Sequence, residues 1–87
     1  MNSPYGFKIS ELAFNNKHLL KLSNWCGCFY CLNLFSYQDI SQWKNDTYDQ
    51  TAICPFCGME SVIPSDDTRD STMKFLNILY DFYFSNE

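Results

Sequence analysis

Histidine is almost absent from this chain, with His18 alone, and basic residues are few: six lysines and arginines against ten acidic side chains, a formal charge of −4. Lys8, Lys17, Lys21, Lys44, Arg69 and Lys74 form no run or stripe that would track a phosphate backbone, so generic nucleic-acid affinity is disfavoured. No segment approaches the ~20 apolar residues needed to cross a bilayer. Met1 to Ile9 lacks the basic start and apolar core of a secretory signal, which leads to the expectation of a soluble, cytoplasmic protein. Internal repeats and low-complexity runs are missing too.

Enzyme signatures are equally thin. A zinc deaminase needs His-x-Glu followed by Pro-Cys-x-x-Cys, and the chain has no His-x-Glu, while its proline lies inside the cysteine pair. A thioredoxin-like oxidoreductase carries one Cys-x-x-Cys in a βαβ setting, whereas two such pairs stand here in a chain too short for that fold. A cysteine protease places a histidine and a further polar partner around one thiol, and His18, flanked by Lys17 and Lys21, reads first as a solvated helix residue. The expectation is that the protein is not an enzyme.

What is abundant is cysteine and aromatic carbon. Cys28-Phe29-Tyr30-Cys31 and Cys54-Pro55-Phe56-Cys57-Gly58 each place two sulfurs on one tight turn. Two such turns face to face supply the tetrahedral sulfur cage of a structural Zn2+ site, with Cys28, Cys31, Cys54 and Cys57 as ligands. Gly58 is suited to the positive φ such a turn often requires, and the first turn lacks that glycine. Four thiolates around one zinc would take the net charge to about −6. Cys26 is a fifth sulfur and an odd one out, which fits metal ligation in a reducing compartment better than a disulfide framework. It reads as a spare buried hydrophobe first, and second as a metal-activated thiol or a ligand exchanging with Cys28.

The 87 residues allow one domain, spanning 1–87, and a chain of this size has marginal stability without a staple. Structural zinc contributes about 10–16 kcal/mol in small peptides, so loss of metal is expected to mean loss of fold. The pattern predicts an α+β architecture. A first helical segment runs from about Ser10, its N-cap, to Leu22, as one short helix or as two turns broken at Asn15-Asn16. A middle helix from Ser36 to about Lys44 has Asp39 at its third position and a Phe35–Ile40 staple, with Ile40 and Trp43 facing the metal turns. The loop 45–49 is turn-rich. Thr51-Ala52-Ile53 and Ser61-Val62-Ile63 form a zinc ribbon about the second turn, which Pro64 ends, and Ser65 to Thr68 is a polar link.

The closing helix, about Asp70 to Phe84, confines Asp70, Lys74, Asn77 and Asp81 to one stripe and is apolar elsewhere. It either covers the ribbon and the first helix or leaves a face for a protein partner or a second copy. Trp25, Trp43, Phe29, Tyr30, Phe35 and Phe56 read as packing around the metal, and second as a recognition surface.

Cys26 to Leu32, Phe35, Ile40, Trp43, Thr51 to Pro55, Cys57-Gly58 and Ser61 to Ile63 together resemble a family of short bacterial cytoplasmic proteins with the pattern CGCFYC, an Ile and Trp helix, and TAxCPYCGxxSVI. The closing helix is similar as well, and Phe56 stands where tyrosine is usual. The resemblance implies a bacterial, cytoplasmic, zinc-bearing protein and makes the CGC run a shared feature. Acidic balance, a closed ligand set and an apolar closing helix point to a protein–protein interaction module: an inhibitor, an immunity partner or an adaptor. The alternative is a nucleic-acid-binding zinc ribbon of transcription or translation.

Overall fold

The computed structural model describes residues 9–84, and its fold is α+β. Two single-turn helices, α1 (Ser10–Ala13) and α2 (Lys17–Leu20), precede strands β1 (Trp25–Cys28) and β2 (Leu34–Phe35). A 3-10 turn at Tyr37–Asp39 leads to β3 (Trp43–Asn45), β4 (Gln50–Ala52), β5 (Val62–Ser65) and the closing helix α3 (Arg69–Phe84). The strands form two antiparallel sheets, β2-β1-β5 and β3-β4. Among the described residues no helix is long and apolar enough to cross a membrane.

Of the two readings for the first segment, the broken one holds. Asn15 sits in the left-handed region at φ 52°, and its Oδ1 accepts the N–H groups of Tyr48 and Asp49. Asparagine tolerates that conformation better than most residues, because its short amide bonds nearby backbone. The Ile9 carbonyl accepts the amides of Leu12 and Ala13, so Ser10 lies inside the first turn rather than capping it.

Asn16 is completely buried and joins the two sheets. Its Nδ2 donates to the carbonyls of Leu12 (2.7 Å) and Val62 (2.8 Å), and its Oδ1 accepts the N–H of Ala52 at 3.2 Å. One side-chain amide thus stands where a direct β4–β5 ladder would be. This corrects the expected ribbon: β4 and β5 flank the second cysteine turn but belong to different sheets.

The middle helix is also corrected. The Ser36 N–H and hydroxyl both reach Asp39 Oδ2, at 3.1 and 3.3 Å, so the local start signal is real. Ile40 is nevertheless extended at ψ 116°, and the chain continues as β3, with Trp43 opposite Ala52 and Lys44 opposite Thr51. Pairing with β4 satisfies the backbone that a longer helix would have used. Ile40 and Trp43 still pack against the cysteine cluster, as expected of the helix.

Pro64 does not end β5 but lies within it, opposite Cys26. Phe29 N–H donates to the Ser61 carbonyl one place beyond the Cys28–Val62 pair. Hydrogen-bonded pairs alternate along an antiparallel ladder, so the Cys26–Pro64 pair is a non-bonded one and the missing N–H of proline costs β1 nothing.

Two cores lie on opposite faces of the β1 sheet. One gathers Leu20, Cys26, Cys28, Phe35, Ile40, Ala52, Cys54 and Val62, and the other gathers Ile9, Ala13, Phe29, Ile63, Leu76 and Leu79. Side chains alternate along a strand, so Cys26 and Cys28 face one core while Gly27 faces α3. A Cβ built on Gly27 would lie 2.8 Å from Leu76 Cδ1 and 3.0 Å from Leu34 Cδ2, so glycine is what lets the helix seat. Thr68 caps α3 by accepting the Ser71 N–H at 3.1 Å. Leu76 and Leu79 are completely buried, whereas Ile78, Phe82 and Phe84 are exposed.

Candidate metal centre

The sulfurs of Cys28, Cys31, Cys54 and Cys57 all lie within 4.8 Å of one another, a group positioned to bind a metal. The closest contacts run across the two turns, Cys28 to Cys57 and Cys31 to Cys54, each at 3.6 Å. A tetrahedron with metal–sulfur bonds of 2.3 Å has edges of about 3.8 Å, so the spacing fits one ion at the centre.

Each turn is built the same way. In the first, Cys28 N–H donates to the Asn33 carbonyl (3.0 Å), Leu32 N–H donates to the Cys28 carbonyl (2.9 Å), and the amides of Tyr30 and Cys31 point at Cys28 Sγ, both at 3.4 Å. In the second, Cys54 N–H donates to Met59 (3.0 Å), Gly58 N–H donates to Cys54 (3.0 Å), and Phe56 N–H points at Cys54 Sγ at 3.4 Å, joined by the amide of Cys57. The second cysteine of each pair receives the N–H two residues on, Asn33 to Cys31 and Met59 to Cys57. Backbone donors aimed at sulfur favour the thiolates a metal requires.

The fifth residue of each turn is left-handed: Gly58 at φ 79°, as its glycine suggests, and Leu32 at φ 64°. Leucine there carries a steric cost of about 1–2 kcal/mol, which glycine avoids. Leu32 is held in place because its side chain packs against the α3 core.

The four thiols crowd one another. Burial pushes the Cys57 thiol up, and Cys28 and Cys54 beside it act in the same direction; burial also raises Cys54. Burial works upward on Cys31 most strongly, but the side-chain and backbone hydrogen bonds from Asn33, together with contacts from Cys54 and Cys28, outweigh it and hold that thiol below its ordinary range. A divalent cation reverses this balance by its own charge.

Cys26 stands outside the cluster. It is completely buried in the core that contains Cys28, with Ser23 Oγ 3.9 Å from its sulfur. Burial pushes its thiol up to about 11 against the lowering effect of Ser23, the mark of an inert cysteine. His18 is also remote from the sulfurs: its exposed ring Nδ1 lies 2.7 Å from Asp49 Oδ2, and its backbone N–H donates to the same oxygen. The aromatic residues divide. Phe35 is buried beside the cysteines and meets Phe56 at 5.7 Å between centroids, while Phe29 is buried under α3. Tyr30 and Phe56, at the tips of the turns, are exposed. Lys17 lies over the Trp43 ring at 5.0 Å, and Lys44 pairs with Glu60 at 3.4 Å.

Two residues that sequence reasoning passed over touch the sulfurs. Ser61, almost wholly buried, places its hydroxyl 3.0 Å from Cys28 Sγ, and Asn33 Nδ2 lies 3.3 Å from Cys31 Sγ. The position of Asn33, two past the second cysteine, was the only available sign of its role. Ser61 was read only as part of the outgoing strand, because it reaches the first turn from beyond the second.

No protein-family profile, curated protein or solved structure matches the chain.

Proposed function

We propose that the chain is a small intracellular zinc protein whose metal is structural, bound by Cys28, Cys31, Cys54 and Cys57. The observation that carries this reading is the sulfur geometry: four thiols within 4.8 Å, with cross-turn contacts of 3.6 Å. Four sulfur ligands suit zinc, and a closed set leaves no position for substrate or activated water. Unpaired cysteines throughout the described residues fit a reducing compartment. Cobalt(II) substitution tests the ligand set. A tetrahedral four-sulfur spectrum that persists in Cys26→Ser and is lost in Cys54→Ser is expected; loss in Cys26→Ser, or a spectrum with oxygen or nitrogen ligands, contradicts the assignment.

The role proposed for the folded unit is protein–protein interaction, as an inhibitor, immunity partner or adaptor. Its support is the exposed Ile78, Phe82 and Phe84 on the closing helix, together with the acidic balance of the chain. The test pairs light scattering with a pull-down from the source cell, using Phe82→Glu as control. A partner or self-association lost in that variant is expected. A monomer that captures nothing, or that instead binds DNA or RNA with steep salt dependence, overturns the role.

A further inference from the structure

The four sulfurs are not equally protected, and the inequality singles out one of them. Cys28 and Cys54 are buried, whereas Cys31 and Cys57 are half-buried and face solvent. Cys28 receives two backbone amides and lies against the Ser61 hydroxyl, which must donate once the sulfur is a thiolate. Cys54 receives two backbone amides. Cys31 receives the Asn33 backbone amide and its side-chain amide at 3.3 Å. Cys57 receives the Met59 amide, and among the described residues no side-chain hydroxyl or amide reaches it.

Hydrogen bonds draw electron density from a metal-bound thiolate and lower its nucleophilicity. Of the two sulfurs within reach of solvent, Cys57 therefore keeps the more available lone pair. Access agrees with this: a Cβ built on the adjacent Gly58 would meet nothing within 4 Å beyond its own chain neighbours, so no other segment packs over that position of the turn. At the matching place in the first turn stands the packed side chain of Leu32.

Resting on the zinc reading above, we infer that Cys57 is the modification site of the centre, the ligand that soft, thiol-selective electrophiles take first and through which they release the metal. In that step the Cys57 thiolate displaces the leaving group of an alkylating agent. An S–C bond forms as the carbon–halide bond breaks, halide departs with the bonding pair, and the neutral thioether that remains is a poor zinc ligand. Cys28, Cys31 and Cys54 would remain as sulfur ligands, one fewer than a closed structural site uses.

The experiment uses the zinc-loaded full chain, with zinc content measured before any reagent is added. It is then treated with substoichiometric iodoacetamide, with peptide mapping by mass spectrometry and a chromophoric chelator reporting free zinc. Cys57 is expected to be alkylated about tenfold ahead of Cys31, the rate equivalent of one hydrogen bond to a charged group, with zinc released in step. In Asn33→Ala, loaded with zinc and assayed for zinc content before treatment, Cys31 is expected to rise to the rate of Cys57. Equal labelling in the wild-type chain, labelling of Cys31 first, or alkylation of Cys57 without zinc release overturns the inference while the zinc reading stands. A chain that carries no zinc before treatment overturns both.

Discussion

In the first cysteine turn the residue that swings into the left-handed region is Leu32, at φ 64°, and in the second it is Gly58, at φ 79°, although the hydrogen bonds around them match closely. The first turn is strained, buried against α3 and supplied with side-chain donors from Asn33 and Ser61. The second is relaxed at Gly58, where a side chain would meet open space, although both turns carry an exposed aromatic ring at the tip, Tyr30 and Phe56. One backbone solution therefore serves two surroundings. Left-handed geometry comes from the chain where glycine permits it, and from tertiary packing where it does not.

Removing a sulfur should erase the contrast. Cys31→Ser and Cys57→Ser each deprive the ion of a ligand, and since zinc contributes about 10–16 kcal/mol in small sites, both are expected to abolish cooperative thermal unfolding. A variant that keeps a sharp transition would show that its turn does not need the metal.

Next in size is Asn16→Ala, which leaves the Ala52 N–H and Val62 carbonyl unpaired where the strand entering the second turn meets the strand leaving it. A loss of about 3 kcal/mol is expected in urea unfolding of the zinc-bound protein. Gly27→Ala tests the support under the first turn, where the new methyl group would strike Leu76 and Leu34, and about 1–3 kcal/mol of destabilisation is expected.

The strain itself is addressed by a pair of variants. Gly58→Ala meets open space and suffers only the backbone cost, about 1 kcal/mol. Leu32→Gly relieves that cost while losing a half-buried side chain. Its net change is expected to stay within about 1 kcal/mol, unlike the about 2–5 kcal/mol of leucine truncation in a core. If Leu32→Gly proves as damaging as a core truncation, the two turns do not share the same strain ledger.

The smallest effect belongs to Asp49, whose carboxyl is held down to about 2, from 3.8, chiefly by the His18 ring and backbone N–H. A depressed carboxyl adds stability that is complete above its unfolded value and is lost as pH falls from about 4 through about 2. His18 is exposed and Asp49 only half-buried, so solvent screens the pair, and Asp49→Asn at neutral pH should lower the melting temperature only slightly. A large drop would reveal a structural role for this contact.

Much of the candidate site was legible in the sequence because its information is local. Two Cys-x-x-Cys spacings, and a glycine one residue past the second, state the turn geometry within a few positions. The closing helix was legible for a similar reason: its polar stripe repeats along the element, and the observed start at Arg69 is one residue before the expected one. What stayed hidden depends on distant partners. Ser36 and Asp39 do start a turn, but whether a helix follows is decided by β4, which lies beyond a turn and offers Trp43 a strand to pair with. Asn16 looks from sequence like a helix weakness, and only the positions of Ala52 and Val62 reveal it as the joint between sheets. Leu32 gives no local sign of positive φ, because what enforces it is the core beneath α3.

The most direct test of the central claim is to follow the near-ultraviolet circular dichroism of the reduced protein while a strong chelator removes metal and zinc is then returned. The account predicts one zinc per chain by elemental analysis, collapse of the aromatic signal on chelation, and recovery at one equivalent. Protein that carries no stoichiometric metal and whose spectrum is unchanged by chelation would contradict it.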